Sequence, residues 1–173
     1  MTKPLVIVES PTKVKTISKI LGSEYIVKSS VGHIRDLPRN SKAIPPQFDS
    51  KKILWGAVKP KDFENIYVIP DDRKKIVNEL KEIADKAPEV YLATDDDREG
   101  EAIAYHLKEA LELKGEPKRI KFNEITEAAV TTAINNPEKL DLGKFKSYEA
   151  RRTLDRMIGY EISPKVRDLG GAF

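Results

Sequence analysis

Short apolar runs of three or four residues recur along this chain, with helix-like stretches between many of them. Leu5-Val6-Ile7-Val8, Tyr25-Ile26-Val27, Ile66-Tyr67-Val68-Ile69, Val90-Tyr91-Leu92-Ala93 and the shorter Ile120-Lys121-Phe122 have the length and composition of strands. Residues 11–21, 72–86, 99–113 and about 127–135 carry helical patterning. Ser10 suits a helix N-cap, Pro11 the first helical position and Gly22 a stop. Thr126 suits the cap of the helix that Asn135-Asn136-Pro137 ends. Such alternation predicts an α/β fold, a mainly parallel sheet with helices on both faces. Right-handed crossovers then bring the ends of the first and fourth runs to one sheet edge, the edge where α/β sites form.

That edge is where the chemistry gathers. Tyr91-Leu92-Ala93-Thr94 runs straight into Asp95, Asp96, Asp97, Glu99 and Glu101. In an extended segment Asp95, Asp97 and Glu99 point the same way. Carboxylates gathered at one point repel one another unless a cation sits among them, and an oxygen-rich cluster suits a hard ion such as Mg²⁺. The competing reading is an acidic first turn complementing a helix dipole. Glu9 closes the first apolar run just before a helix, so it is a second candidate, against the plainer reading of an exposed carboxylate at a strand end.

Composition narrows the classes. In 173 residues there is no cysteine, so disulfides and thiolate metal sites are excluded for this piece. No stretch approaches a membrane span and no signal-peptide pattern opens the chain, which points to the cytoplasm. Net charge is only +3, but it is unevenly placed. Residues 1–42 hold eight Lys/Arg against three Asp/Glu, residues 85–116 four against ten, and residues 144–167 seven against three. A metal-binding patch flanked by phosphate-holding surfaces has this order, although solvated faces produce it too. Residues 32–64 lack periodicity and contain Pro38, Pro45, Pro46 and Pro60, the mark of a long loop or insertion. Residues 145–162 form one amphipathic helical pattern, with Gly159 and Ser163-Pro164 as its end and exit. Arg152 and Arg156 share a face on it, and Arg151 and Asp155 are spaced to pair.

Several of these segments together resemble a known family. Val6-Ile7-Val8-Glu9-Ser10-Pro11-Thr12-Lys13, Ser30-Val31-Gly32-His33-Ile34-Arg35-Asp36-Leu37-Pro38, Ala93 through Ala104 and Phe122-Asn123-Glu124-Ile125-Thr126 are similar to the Toprim domain of bacterial type IA DNA topoisomerases. Glu149 through Pro164 resembles the start of the domain that follows it. The resemblance implies a Toprim domain over 1–142, with an insertion at about 32–64, and a truncated helical DNA-binding domain over 143–173. It implies transient cleavage and religation of one strand of negatively supercoiled DNA, without ATP. In that reaction a tyrosine attacks phosphorus and the 3′ oxygen leaves. Asp95, Asp97 and Glu99, with Glu9, would hold Mg²⁺. Glu9 would serve as general acid and base, and Arg98 would reach the scissile phosphate if a helix starts there. Lys13, Arg152 and Arg156 would contact single-stranded DNA, with Asp155 orienting an arginine. His33 stays outside the catalytic set.

Two departures follow from the same comparison. Tyr25, Tyr67, Tyr91, Tyr105, Tyr148 and Tyr160 all lack the Tyr-x-Arg-Thr-type context of the family nucleophile, and the chain ends at Leu169-Gly170-Gly171-Ala172-Phe173. A monomeric fragment, working with the remainder of a longer topoisomerase in the cytoplasm on nucleoid DNA, is therefore expected to lack complete activity alone. Pro70-Asp71-Asp72 stands where many relatives have Gly-Lys after the proline, and its two acids fit a helix cap and first turn. A standalone metal-dependent nuclease and a non-catalytic DNA-binding fragment are the rival readings.

Overall fold

The computed structural model describes residues 2–122 and 124–168. Asn123 of the fourth motif and the Leu169–Phe173 tail lie outside the described residues. The chain divides into two compact units. One joins the residues up to Arg35 with Ile69–Phe145, and the other joins Asp36–Val68 with the residues from Lys146 onward.

The first unit is built on a parallel sheet of four strands in the order β2-β1-β3-β4. These are β1 (Leu5–Val8), β2 (Ile26–Ser29), β3 (Val90–Ala93) and β4 (Lys118–Ile120). Helices α1 (Pro11–Leu21), α2 (Asp71–Ala84), α3 (Arg98–Ala110) and α4 (Glu127–Asn135) connect and cover them. Strand β1 is buried along its whole length because both of its faces are roofed. Leu5 and Ile7 join Leu92 in a core with Val77 and Leu80 of α2 and Ile103 and Leu107 of α3. Val6 and Val8 point the other way, into a core with Tyr91, Ile17 of α1, and Val130 and Ile134 of α4. Period-two alternation on a strand with two dry faces reads as an unbroken apolar run, which is why Leu-Val-Ile-Val is uniform.

The α/β expectation holds, with shifts at particular elements. The last strand is Lys118-Arg119-Ile120 rather than 120–122. Ile66–Ile69 is not a sheet strand; Val68 makes a single antiparallel bridge to Asp36. The expected helix over 145–162 begins earlier, as α5 (Leu142–Met157), and does not end at Gly159. It passes through a π-helical segment, Ile158–Ile162, into α6 (Ser163–Asp168). Asp71 and Asp72 lie in the first turn of α2 as expected, with Pro70 rather than either acid at the cap position.

In the second unit, residues 36–68 contain short 3₁₀ turns at Ser41–Ala43 and Ser50–Lys52 and antiparallel bridges of Val58 to Leu54 and Asn65. The Asn65 side chain donates to the Glu149 carbonyl, and the Thr153 hydroxyl bonds the Asn65 side-chain oxygen. Tethers of this kind give an aperiodic segment a fixed course. No described helix is long and apolar enough to cross a membrane.

Candidate active site at the sheet edge

Parallel pairing puts Val8 opposite Ala93, so β1 and β3 end side by side. Glu9 and Asp95 therefore emerge at neighbouring points of one edge. A cleft of about 390 Å³ opens there, lined in part by Glu9, Gly32, His33, Asp95, Asp97, Glu99 and Gly100. The second motif reaches it through a turn in which Val31 (φ 55°) and Gly32 (φ 79°) both adopt positive φ. Glycine takes that conformation freely, whereas in a β-branched valine it stores about 1–3 kcal/mol of strain. The Gly32 N–H donates to the Glu9 carbonyl at 2.7 Å, and the Arg73 guanidinium holds the Val31 carbonyl at 2.8 Å.

The five acids of the β3–α3 connection go to five different uses. Helix α3 starts at Arg98, so Asp97 is its N-cap and accepts the Gly100 N–H at 2.6 Å. Glu99 thus leaves from a helical turn, and the extended geometry expected to align it with Asp95 and Asp97 does not extend that far. Its carboxylate lies 3.3 Å from His33 Nε2. Asp96 turns away to Lys144 and Lys121. Glu101 is fully buried beside Arg119. Asp95 remains at the cleft, bonded to Lys13 at 2.6 Å, and the same ammonium also bonds Glu9. The dipole-capping reading is therefore realised at Asp97 and in the first turn of α3, while Asp95, Asp97 and Glu99 line the cleft.

Arg119 is what sequence reading missed. Its side chain is completely buried, and all of its nitrogens are engaged. Nε bonds Glu101 at 3.1 Å. The terminal nitrogens donate to the carbonyls of Leu92, Thr94, Asp95 and Ile120. The other Glu101 oxygen accepts the Asp141 N–H at 2.6 Å. A charged residue in the middle of Lys118-Arg119-Ile120 ordinarily signals a surface position. The one available signal was the excess of acid arriving at this edge. Gly100 is fixed for a different reason: a Cβ there would sit 2.2 Å from the Asp95 carbonyl oxygen, a backbone atom with no room to yield.

Arg98 occupies the first position of α3, is exposed, and does not line the cleft. Arg152 donates to Asp36 and Arg156 to the Pro38 carbonyl, both within the second unit. Asp155 is paired with Arg151, 4.0 Å away, rather than with Arg152 or Arg156. Burial pushes the Tyr67 phenol well above the usual tyrosine range, and burial with the neighbouring Glu89 raises Tyr91. An activated nucleophile needs the opposite shift.

Hard oxygen donors of four carboxylates around one cleft suit a divalent ion such as Mg²⁺ in chemistry. Among the described residues, however, no three acidic or histidine side chains stand as a ready-made ion cage. The cation between Glu9 and Asp95 is Lys13. Partial burial opposes its charge, but the bonds to Asp95 and Glu9 prevail and its pKa lies above the usual lysine value. Partial burial likewise opposes ionisation of Asp95, and Lys13 more than offsets it, so Asp95 lies below the usual aspartate value.

Two expectations follow. Asp95 is depressed, so the Lys13 tie stabilises the fold above the ordinary aspartate value of 3.8 and is lost as pH falls through the folded value. Lys13 is raised, so its share is present below 10.5 and is lost as pH rises through its folded value. Lys13→Met is expected to move the Asp95 midpoint upward in a carboxyl-detected NMR titration, and an unmoved midpoint contradicts the tie. Arg119→Met strands the buried Glu101 charge and is expected to cost about 3–5 kcal/mol in urea unfolding. A loss below about 1 kcal/mol, the range of exposed pairs, contradicts the buried geometry.

Comparison with known proteins agrees with this geometry. The family model for the Toprim domain matches residues 4–125. DNA topoisomerase 1 of Mycolicibacterium smegmatis is 50% identical over 163 residues, spanning 92% of this chain and 17% of its own length. DNA topoisomerase 1 of Escherichia coli K12 is 46% identical over 183 aligned positions, spanning 95% and 21%. The solved full-length topoisomerase I of Thermotoga maritima superposes with a TM-score of 0.78 at 40% identity, over 94% of this chain and 26% of that one. The chain spans about a fifth of the length of these curated relatives, at 17% and 21%. Sheet order, cleft and matched residues together make this chain a member of the Toprim domain family.

Proposed function

We propose that this chain is the acidic half of the active site of a type IA DNA topoisomerase, working on a single-stranded segment of negatively supercoiled DNA. The observation that carries this reading is the convergence of Glu9, Asp95, Asp97 and Glu99 on one cleft at the joined ends of β1 and β3. Relatives that share up to half of the aligned residues are named DNA topoisomerase 1, which supports the reaction class.

In this reading a tyrosine oxygen, supplied by the remainder of a longer polypeptide, forms a bond to phosphorus as the bond to the 3′ oxygen breaks. Glu9 delivers the proton that the departing 3′ oxygen needs and takes it back on religation. It directly follows β1 in the two-residue connection to α1, so a strand and a helix close to either side limit where its carboxyl can go. Lys13, bonded to Glu9 and Asp95, is positioned to exchange one of those partners for a DNA phosphate. Asp95, Asp97 and Glu99, joined by Glu9 when it is ionised, would hold Mg²⁺, which when bound offsets charge on the phosphate oxygens. Arg152 and Arg156 would contact phosphates by leaving Asp36 and the Pro38 carbonyl. Arg98 is the weaker catalytic candidate, since it does not line the cleft. Residues 1–142 then form the catalytic Toprim part and 143–173 the beginning of a DNA-binding part, in a monomeric, cytoplasmic, nucleoid-associated enzyme.

The test is a plasmid gel. Negatively supercoiled plasmid is incubated with this chain and Mg²⁺, with chelator, and with an Asp97→Asn control. The chain alone is expected to leave topology unchanged. Addition of a tyrosine-bearing remainder in trans is expected to yield Mg²⁺-dependent relaxation that Asp97→Asn abolishes. Mg²⁺-dependent nicks made by the chain alone, and lost in the variant, would establish a nuclease instead.

A further inference from the structure

Asp96 lies between two nominated ligands and is not one of the side chains lining the cleft. Its Oδ1 receives Lys144 Nζ at 2.6 Å, with Lys121 Nζ 3.5 Å away. The two lysines come from separate places. Lys121 directly follows β4 and also bonds Glu138 at 2.9 Å, with a side chain only 13% exposed. Lys144 lies in the first turn of α5, where its N–H donates to Asp141 Oδ1 at 3.0 Å. Both anchor points belong to the framework of the buried pair: Glu138 bridges Arg119 backbone to backbone, and the Asp141 N–H bonds Glu101. The hydrogen bond from Lys144, with Lys121 nearby, holds Asp96 below the usual aspartate range despite some burial.

We propose that Asp96 is a positioning residue, gripped by Lys121 and Lys144 so that the backbone on either side presents Asp95 and Asp97 to the cleft. Arg119 holds the carbonyls of Thr94 and Asp95 and so fixes where the connection starts. It does not fix the rotation of the following peptides. In the short bend before α3, Asp95 and Asp97 line the cleft while Asp96 is held away from it, so releasing Asp96 frees the peptides that carry both neighbours. The grip also neutralises a carboxylate that would otherwise add to the repulsion among its neighbours. Its meaning for catalysis rests on the reading of the cleft proposed above.

The test compares Asp96→Asn, the double variant Lys121→Met/Lys144→Met, and Lys144→Arg as the conservative control. Three quantities are read: Mg²⁺ affinity by calorimetry, the melting temperature in chelator, and hydrogen exchange of the Gly100 amide, which bonds Asp97. Positioning predicts Mg²⁺ affinity about tenfold weaker in the first two variants, as for lost outer-shell partners of metal ligands. It also predicts faster Gly100 exchange in both, a little-changed melting temperature, and recovery in Lys144→Arg. Charge alone predicts the reverse for the double variant, because removing two cations makes the cleft more negative and tightens Mg²⁺. Equal or tighter binding in the double variant, or unchanged Gly100 exchange, overturns the proposal. Should the unmodified chain bind no Mg²⁺, the ion assignment above fails, and Gly100 exchange alone decides whether Asp96 is the anchor.

Discussion

A guanidinium with no access to water holds this site together. Arg119 bonds one buried carboxylate and four backbone carbonyls, three of them at or just beyond the end of β3. A buried ion pair is a poor source of net stability, because desolvation consumes most of the Coulombic gain. Here it does something that apolar packing cannot. Carbonyls at a strand end lack ladder partners, and a segment carrying so many acids would otherwise be pushed apart into solvent. Arg119 satisfies the carbonyls and opposes the negative field from beneath. The cost is shared with Glu101, which links the arrangement to the start of α5 through the Asp141 N–H.

With the base of the connection fixed, the other contacts divide labour. The cap from Asp97 to Gly100 starts α3 at once, and the absence of a Cβ on Gly100 lets the helix close onto the Asp95 backbone. Lys13 stands between Glu9 and Asp95, so the cleft meets solvent with one resident cation already in place. On the proposed reading, an arriving phosphate and an arriving metal ion would have complementary effects. One would draw Lys13 outward and the other would take over its carboxylates. On that reading, a cleft organised this way would suit a polyanion that comes with a divalent ion, such as a DNA strand.

Much of this was legible in the chain. Leu5–Val8 and Val90–Ala93 showed as strands because buried parallel strands are apolar on both faces. Ser10-Pro11 and Gly22 marked α1 because cap geometry is local. Glu9 and Asp95 followed from topology, since parallel strands end at the same edge. Most of what failed was non-local. Ile66–Ile69 has strand chemistry, but whether it joins the sheet depends on which unit takes up residues 36–68. Glu99 leaves the line of Asp95 and Asp97 because α3 starts at Arg98, a boundary that sequence pattern marks only to within a residue or two. Arg119 and Glu101 were unreadable because single charged residues default to the surface, and only their mutual burial reverses that.

The carboxylates of Glu9, Asp95, Asp97 and Glu99 are proposed to form a divalent-ion cleft. Crystals of this chain soaked in Mn²⁺, with anomalous scattering used to locate the ion, test it most directly. An anomalous peak is expected among those four carboxylates, with Lys13 released from at least one of its partners. A well-diffracting crystal with no peak there, and with Lys13 still bridging Glu9 and Asp95 at saturating Mn²⁺, would contradict it.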